Sequence, residues 1–155
     1  MPQTRLRGQN PAQRLLTIFK RVTMKYFSFE EFSRSDTARK RGIDNSIPPH
    51  VRPAIEALVE NVLDPLREAW GRPLTITSGY RGETLNKAVG GSKTSHHMRG
   101  MAADISTGDR TLNQKLYQLV VRLNLPFTQL IDEKNFAWVH ISYDPANLKR
   151  QQLKL

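Results

Sequence analysis

Two adjacent histidines, His96 and His97, stand eight and seven positions before an aspartate in Ser95-His96-His97-Met98-Arg99-Gly100-Met101-Ala102-Ala103-Asp104. Imidazole nitrogen and carboxylate oxygen are both ligands for zinc, and a catalytic zinc takes three protein ligands and keeps one position open. A later histidine, His140 in Trp138-Val139-His140-Ile141-Ser142, completes such a set with one of the pair and Asp104. A site of this kind brings the pKa of bound water toward neutrality and polarises a carbonyl, so the chemistry expected is metal-assisted hydrolysis. The sequence has no cysteine, which excludes disulfides and thiolate ligation and leaves nitrogen and oxygen to hold any metal.

Hydrolysis also needs a base close to the attacking water. Glu133, in the run Asp132-Glu133-Lys134-Asn135, is the best-placed carboxylate, with Asp132 as its competitor. Arg81 follows a β-rich run and is suited to clamp a carboxylate, because guanidinium pairs with it in bidentate fashion. A structural Arg–Asp pair is the plainer reading of the same residue. Spacing does not separate His96 from His97 as the ligand.

The elements that must bring these residues together are readable in outline. Ser28 with Glu31 forms a capping box, stapled by Phe27 and Phe32, and predicts a short peripheral helix. Residues 33–45 are polar and read as loop. Over residues 48–70, Val51, Ile55, Leu58, Val59, Val62, Leu66, Ala69 and Trp70 recur at spacings of three and four, which predicts the main helix. Gly71 and Pro73 end it, and Pro65 predicts a kink or break one turn earlier. Residues 74–78 read as a strand that delivers Gly79-Tyr80-Arg81 onto a loop, and residues 83–89 as a short helix ended by Gly90-Gly91.

Residues 102–105 read as a second strand carrying Asp104. Asp109 caps a helix to about residue 124, with Leu112, Leu116, Leu119, Val120 and Leu123 inward. Residues 127–131 and 136–142 form a β-hairpin turning at Asp132-Glu133-Lys134-Asn135. If the second hairpin strand lies beside the strand ending at Asp104, His140 arrives next to His97 and Asp104. From residue 144 onward the chain is polar and basic and suggests no function. The order predicts an α+β fold, a small mostly antiparallel sheet with helices packed on it.

At 155 residues the chain is the size of one domain, with no internal repeat and no linker to divide it. Residues 1–23 hold Arg5, Arg7, Arg14, Lys20 and Arg21 and no acidic residue. They read as a basic tail, either an envelope anchor or an upstream extension, with Met24 opening the domain proper over residues 24–155. Their apolar run is too short for a signal-peptide core. No apolar run is long enough for a membrane-spanning helix. The net charge of +10 predicts attraction to polyanions, but the basic residues do not interleave with aromatics, so no specific nucleic-acid surface is expected.

Four segments together carry a resemblance: Ser78-Gly79-Tyr80-Arg81, Leu85-Asn86-Lys87-Ala88-Val89-Gly90-Gly91-Ser92, the run from Ser95 to Asp104, and Trp138-Val139-His140. In type and order they resemble the peptidase M15 family, over roughly residues 24–143. That family comprises zinc D-Ala-D-Ala carboxypeptidases and peptidoglycan endopeptidases and shares its fold with the hedgehog signalling domain. The resemblance implies Zn2+ as cofactor, with His97, Asp104 and His140 as ligands and His96 as the variable neighbour. It implies Arg81 as a contact to the substrate carboxylate or the transition state, and Ser95 and Trp138 as substrate contacts. Many members carry the catalytic glutamate three residues before the last histidine, where this chain has Ala137. A hedgehog-like branch places it earlier across a hairpin, which falls on Glu133, with Asp132 in reserve.

The implied function is hydrolysis of an amide in a peptidoglycan stem peptide by a monomeric enzyme. The absence of a secretion signal suits a phage or prophage lysis enzyme made in the cytoplasm and acting on the wall after release. The rival reading is a non-catalytic zinc domain of the same fold that binds cell wall or a partner protein, and a third is a basic nucleic-acid-associated protein with a structural metal.

Overall fold

The computed structural model describes residues 24–155, so the basic tail expected over residues 1–23 lies outside the described residues. Helix α1 (Phe29–Ser33) begins at the capping box: the Glu31 N–H donates to Ser28 Oγ, and the Ser28 N–H donates to the Glu31 carboxylate at 2.8 Å. Each partner satisfies a helix-end donor that would otherwise lack one. A second short helix, α2 (Asp36–Arg41), lies where a loop was expected. Its start and stop are ordinary, Ser35 as N-cap and Gly42 in the left-handed region at φ +64°. It buries Ala38 alone, so no apolar period announces it.

The main helix, α3 (residues 49–70), runs through four consecutive pieces: a 3-10 turn Pro49–Val51, α-helix Arg52–Leu58, a π turn Val59–Leu63 and α-helix Asp64–Trp70. The π turn is the irregularity predicted from Pro65. Proline has no N–H to donate and its ring presses on the carbonyl four residues back, that of Asn61; widening the preceding turn relieves both. Val51, Ile55, Leu58, Val59, Val62, Leu63 and Leu66 are buried along the inner face, each to 5% exposure or less. Burial on that scale is worth about 1.5–3 kcal/mol per side chain before entropy is counted.

Five strands form one sheet in the order β1-β2-β4-β3-β5: β1 (Thr75–Ser78), β2 (Ala102–Ser106), β3 (Gln129–Glu133), β4 (Trp138–Ser142) and β5 (Gln151–Lys154). All pairings are antiparallel except β3 with β5. Helix α4 (Glu83–Ala88) follows β1, and α5 (Arg110–Arg122), capped by Asp109, follows β2. Period-two alternation gives the sheet two faces. Ala103, Ile105, Leu130, Val139 and Ile141 join the core with α3 and α5. Asp104, Gln129, Ile131, Glu133, Trp138 and His140 line a cleft on the opposite face. The sheet is therefore a floor with packing below and polar chemistry above.

Two expectations about the C-terminal third are corrected. The hairpin turn is two residues later than predicted: Asp132 and Glu133 complete β3, and the chain reverses over residues 134–137. Lys134, Asn135 and Phe136 take positive φ of 49°, 54° and 58° in succession, a conformation unfavourable for side-chain-bearing residues. Asp132 stabilises it by accepting the Phe136 N–H at 2.5 Å, and Arg110 by donating to the carbonyls of Lys134 and Asn135 at 2.6 and 2.7 Å. Asp132→Ala removes the acceptor from a residue only 4% exposed and is expected to cost about 1–3 kcal/mol in urea unfolding without changing metal content. The second correction is β5, in a stretch from which nothing was predicted. It is a polar edge strand joined to β3 by backbone hydrogen bonds.

No helix among the described residues is long and apolar enough to cross a membrane.

Candidate metal centre

Strands β2 and β4 pair with Asp104 directly opposite His140, the adjacency on which the expected site depends. The third component comes from the 3-10 turn His96–Arg99, capped at its start by Ser95 Oγ, which accepts the His97 N–H at 3.2 Å. Gly100 ends this turn at φ +70° and packs on the start of α3, where a Cβ would lie 2.6 Å from Val51 Cγ1. A side chain at position 100 would push the turn off the helix and carry His97 with it.

His97, Asp104 and His140 converge so that one donor atom from each lies within 4.8 Å of the others. His97 Nε2 is 3.2 Å from His140 Nδ1 and 3.3 Å from Asp104 Oδ1, and His140 Nδ1 is 2.9 Å from Asp104 Oδ1. The tautomer of His97 is fixed, because its Nδ1 is 2.7 Å from the carbonyl of Gly79, which can only accept. The proton is therefore on Nδ1, and the Nε2 lone pair faces Asp104 and His140. A ligating histidine held through its other nitrogen by a carbonyl is the usual support of a zinc site. Burial raises the pKa of Asp104, but His97 and His140, when protonated and donating to the carboxylate, outweigh it and hold the carboxyl below the ordinary range. Two nitrogens and one oxygen, converging at a cleft and without a thiolate, fit Zn2+, which His97, Asp104 and His140 would hold.

The neighbours predicted from sequence divide into groups. His96 is not part of the cluster; it lines the cleft rim, with its pKa lowered by burial and by Arg99. Glu133 lines the same cleft, its pKa raised first by burial and then by the charge of Asp104. Asp132 is on the other face of β3, committed to the hairpin turn. Arg81 lines the cleft within range of the charges of Asp104 and Glu133; burial lowers its pKa and those two carboxylates raise it. Its Nε is buried without a hydrogen-bond partner among the described residues. Ser95 and half-buried Trp138 also line the cleft, the indole under Lys134 Nζ at 5.6 Å from the ring centre. The cleft encloses about 940 Å3.

Gly79 is the component that sequence reading overlooked. It lies against α1 so closely that a Cβ would approach Phe32 Cα to 2.7 Å and the Phe32 carbonyl to 2.8 Å. The Tyr80 N–H donates to that same carbonyl at 2.8 Å. The peripheral helix thus supports the carbonyl that orients His97. Gly79→Ala is expected to destabilise the fold by about 1–3 kcal/mol and to weaken zinc binding, measured by thermal unfolding and zinc titration of one sample. The signal for it in the sequence was a glycine directly after a predicted strand, where close backbone approach is one standard meaning.

A family profile described as Peptidase M15 matches residues 25–142, well over half of the chain. The chain belongs to the peptidase M15 family. Over 49 residues it is also 43% identical to the zinc D-Ala-D-Ala carboxypeptidase of Streptomyces albus G, an alignment covering 31% of this chain and 19% of that protein.

Proposed function

We propose that this chain is a zinc peptidase that hydrolyses an amide bond in peptidoglycan stem peptides. The observation that carries the reading is the convergence of His97 Nε2, His140 Nδ1 and Asp104 Oδ1 on one face of the sheet, in a cleft that also holds Glu133 and Arg81. Zinc held by these three donors supplies a Lewis acid that polarises the scissile carbonyl and acidifies water.

The chain's own residues supply the remainder. Glu133 takes a proton from the attacking water as its oxygen bonds to the carbonyl carbon, and returns that proton to the nitrogen as the C–N bond breaks. Its raised pKa suits an acid–base group better than that of a solvated glutamate would. Arg81 donates to the oxygen on which negative charge develops, which gives its buried Nε a partner. The Ser95 hydroxyl, which accepts the His97 N–H, keeps its own O–H to donate to the substrate backbone. Trp138 forms a wall against which a peptide lies.

Glu133 stands in well for a carboxylate at position 137. The two positions adjoin across the hairpin, the Ala137 N–H donating to the Glu133 carbonyl at 3.0 Å, and Glu133 pairs with Trp138 in register. Ala137 is also the feature favouring the second reading, a non-catalytic zinc domain that binds wall or a partner. Incubating zinc-loaded protein with purified peptidoglycan separates them. Release of free D-alanine or of soluble peptides with new amino termini, stopped by a chelator and restored by zinc, is the expected result; binding without either release favours the second reading.

A further inference from the structure

The polar segment before the main helix reaches the backbone on both sides of Arg81 through one side chain. Asn45 is 7% exposed and makes three hydrogen bonds. Its Nδ2 donates to the carbonyls of Ser33 at 3.0 Å and Tyr80 at 2.9 Å, and its Oδ1 accepts the N–H of Gly82 at 2.8 Å. Tyr80 and Gly82 are the two neighbours of Arg81, so a single amide holds the backbone on both sides of that residue. The Arg81 N–H is fixed as well, donating to the His97 carbonyl at 3.2 Å. Only a short side chain with both donors and an acceptor can make this set of contacts. An aspartate would turn an oxygen toward two carbonyls, and a glutamine would need room that a buried site lacks.

We propose that Asn45 is a positioning residue for Arg81, fixing through Tyr80 and Gly82 the direction from which the guanidinium enters the cleft. The proposal rests on the reading that Arg81 contacts the reacting peptide. Misplacement of such a group by about 1 Å can cost on the order of 100-fold in rate while leaving ground-state binding nearly intact. The effect is therefore on kcat, with zinc binding and KM little changed.

The test uses the zinc-loaded full chain and a soluble stem peptide. Asn45→Ala is expected to lower kcat about tenfold or more, with KM within about twofold and zinc still at one per chain. Adding Asn45→Ala to Arg81→Ala is expected to cost nothing further, because the group being positioned is gone. Losses that multiply in the double variant, or unchanged kcat in Asn45→Ala, would overturn the proposal. Asn45→Ser, which keeps a donor and an acceptor, serves if the alanine variant does not fold, and is expected to lower kcat with KM and zinc content kept; an unchanged kcat overturns the proposal. If the parent chain shows no turnover, or Arg81→Ala keeps it all, the peptidase reading or the role of Arg81 is what fails. A crystal structure of the Asn45 variant then decides the positioning alone: a shifted Arg81 supports it and an unmoved one overturns it.

Discussion

His97→Ala and His140→Ala, made separately, are each expected to abolish stoichiometric zinc binding and with it all zinc-dependent turnover. Each substitution removes one of three donors, and two donors from this set do not hold zinc against dialysis. Loss of a supporting partner alone typically costs 10–100-fold in affinity, and loss of a ligand costs more. Metal content after dialysis is the first measurement. The second is thermal stability with zinc in excess, where about 2.7 kcal/mol of stabilisation accompanies ligand at 100 times its Kd, and the variants should show none. His97→Ala also leaves the buried Gly79 carbonyl without its partner, so it carries a folding cost that His140→Ala does not share. His96→Ala is the discriminating control. It is expected to keep one zinc per chain, because His96 lies at the rim and supplies no atom to the cluster. Zinc retained in His97→Ala and lost in His96→Ala would reverse the choice between the two neighbours.

The part of this centre legible in the sequence was the part set by local chemistry and strand pattern. Asp104 and His140 were read from short β-rich runs, and their pairing followed from placing two such runs side by side, which β2 and β4 do. The capping box at Ser28 and the irregularity ahead of Pro65 are local effects and were readable for that reason. The choice of His97 over His96 was not available from spacing. It depends on a turn that aims one ring at the Gly79 carbonyl and leaves the other at the rim. Helix α2 and strand β5 escaped because each is held by caps or backbone hydrogen bonds and buries almost nothing apolar. The hairpin was placed two residues early because Asp132-Glu133-Lys134-Asn135 has the composition of a turn. The sequence does not advertise three successive left-handed residues, which the contacts of Asp132 and Arg110 make tenable. Asn45 gave no signal at all, a polar residue in a polar stretch whose partners are 12 and 35–37 residues away.

That two-residue difference in the turn matters for the base, and Glu133→Gln is expected to show it. The substitution keeps the shape and volume of the side chain and removes only its ability to take a proton, so zinc content and fold should be unchanged while kcat falls by about 10²–10⁴. Had the chain turned at Asp132, neither carboxylate would have a fixed face. Because both belong to β3, alternation sends them to opposite sides: Asp132 down to the Phe136 N–H and Glu133 up into the cleft with His140 and Arg81. The two variants should therefore separate cleanly, Asp132→Ala losing stability with its zinc retained and Glu133→Gln losing turnover with its stability retained. Single-turnover kinetics on a stem peptide with zinc-saturated protein measures the second directly. Undiminished turnover in Glu133→Gln would remove that residue from the role and, with Ala137 at the other family position and Asp132 on the opposite face, leave no carboxylate on the cleft side of this hairpin to receive the proton.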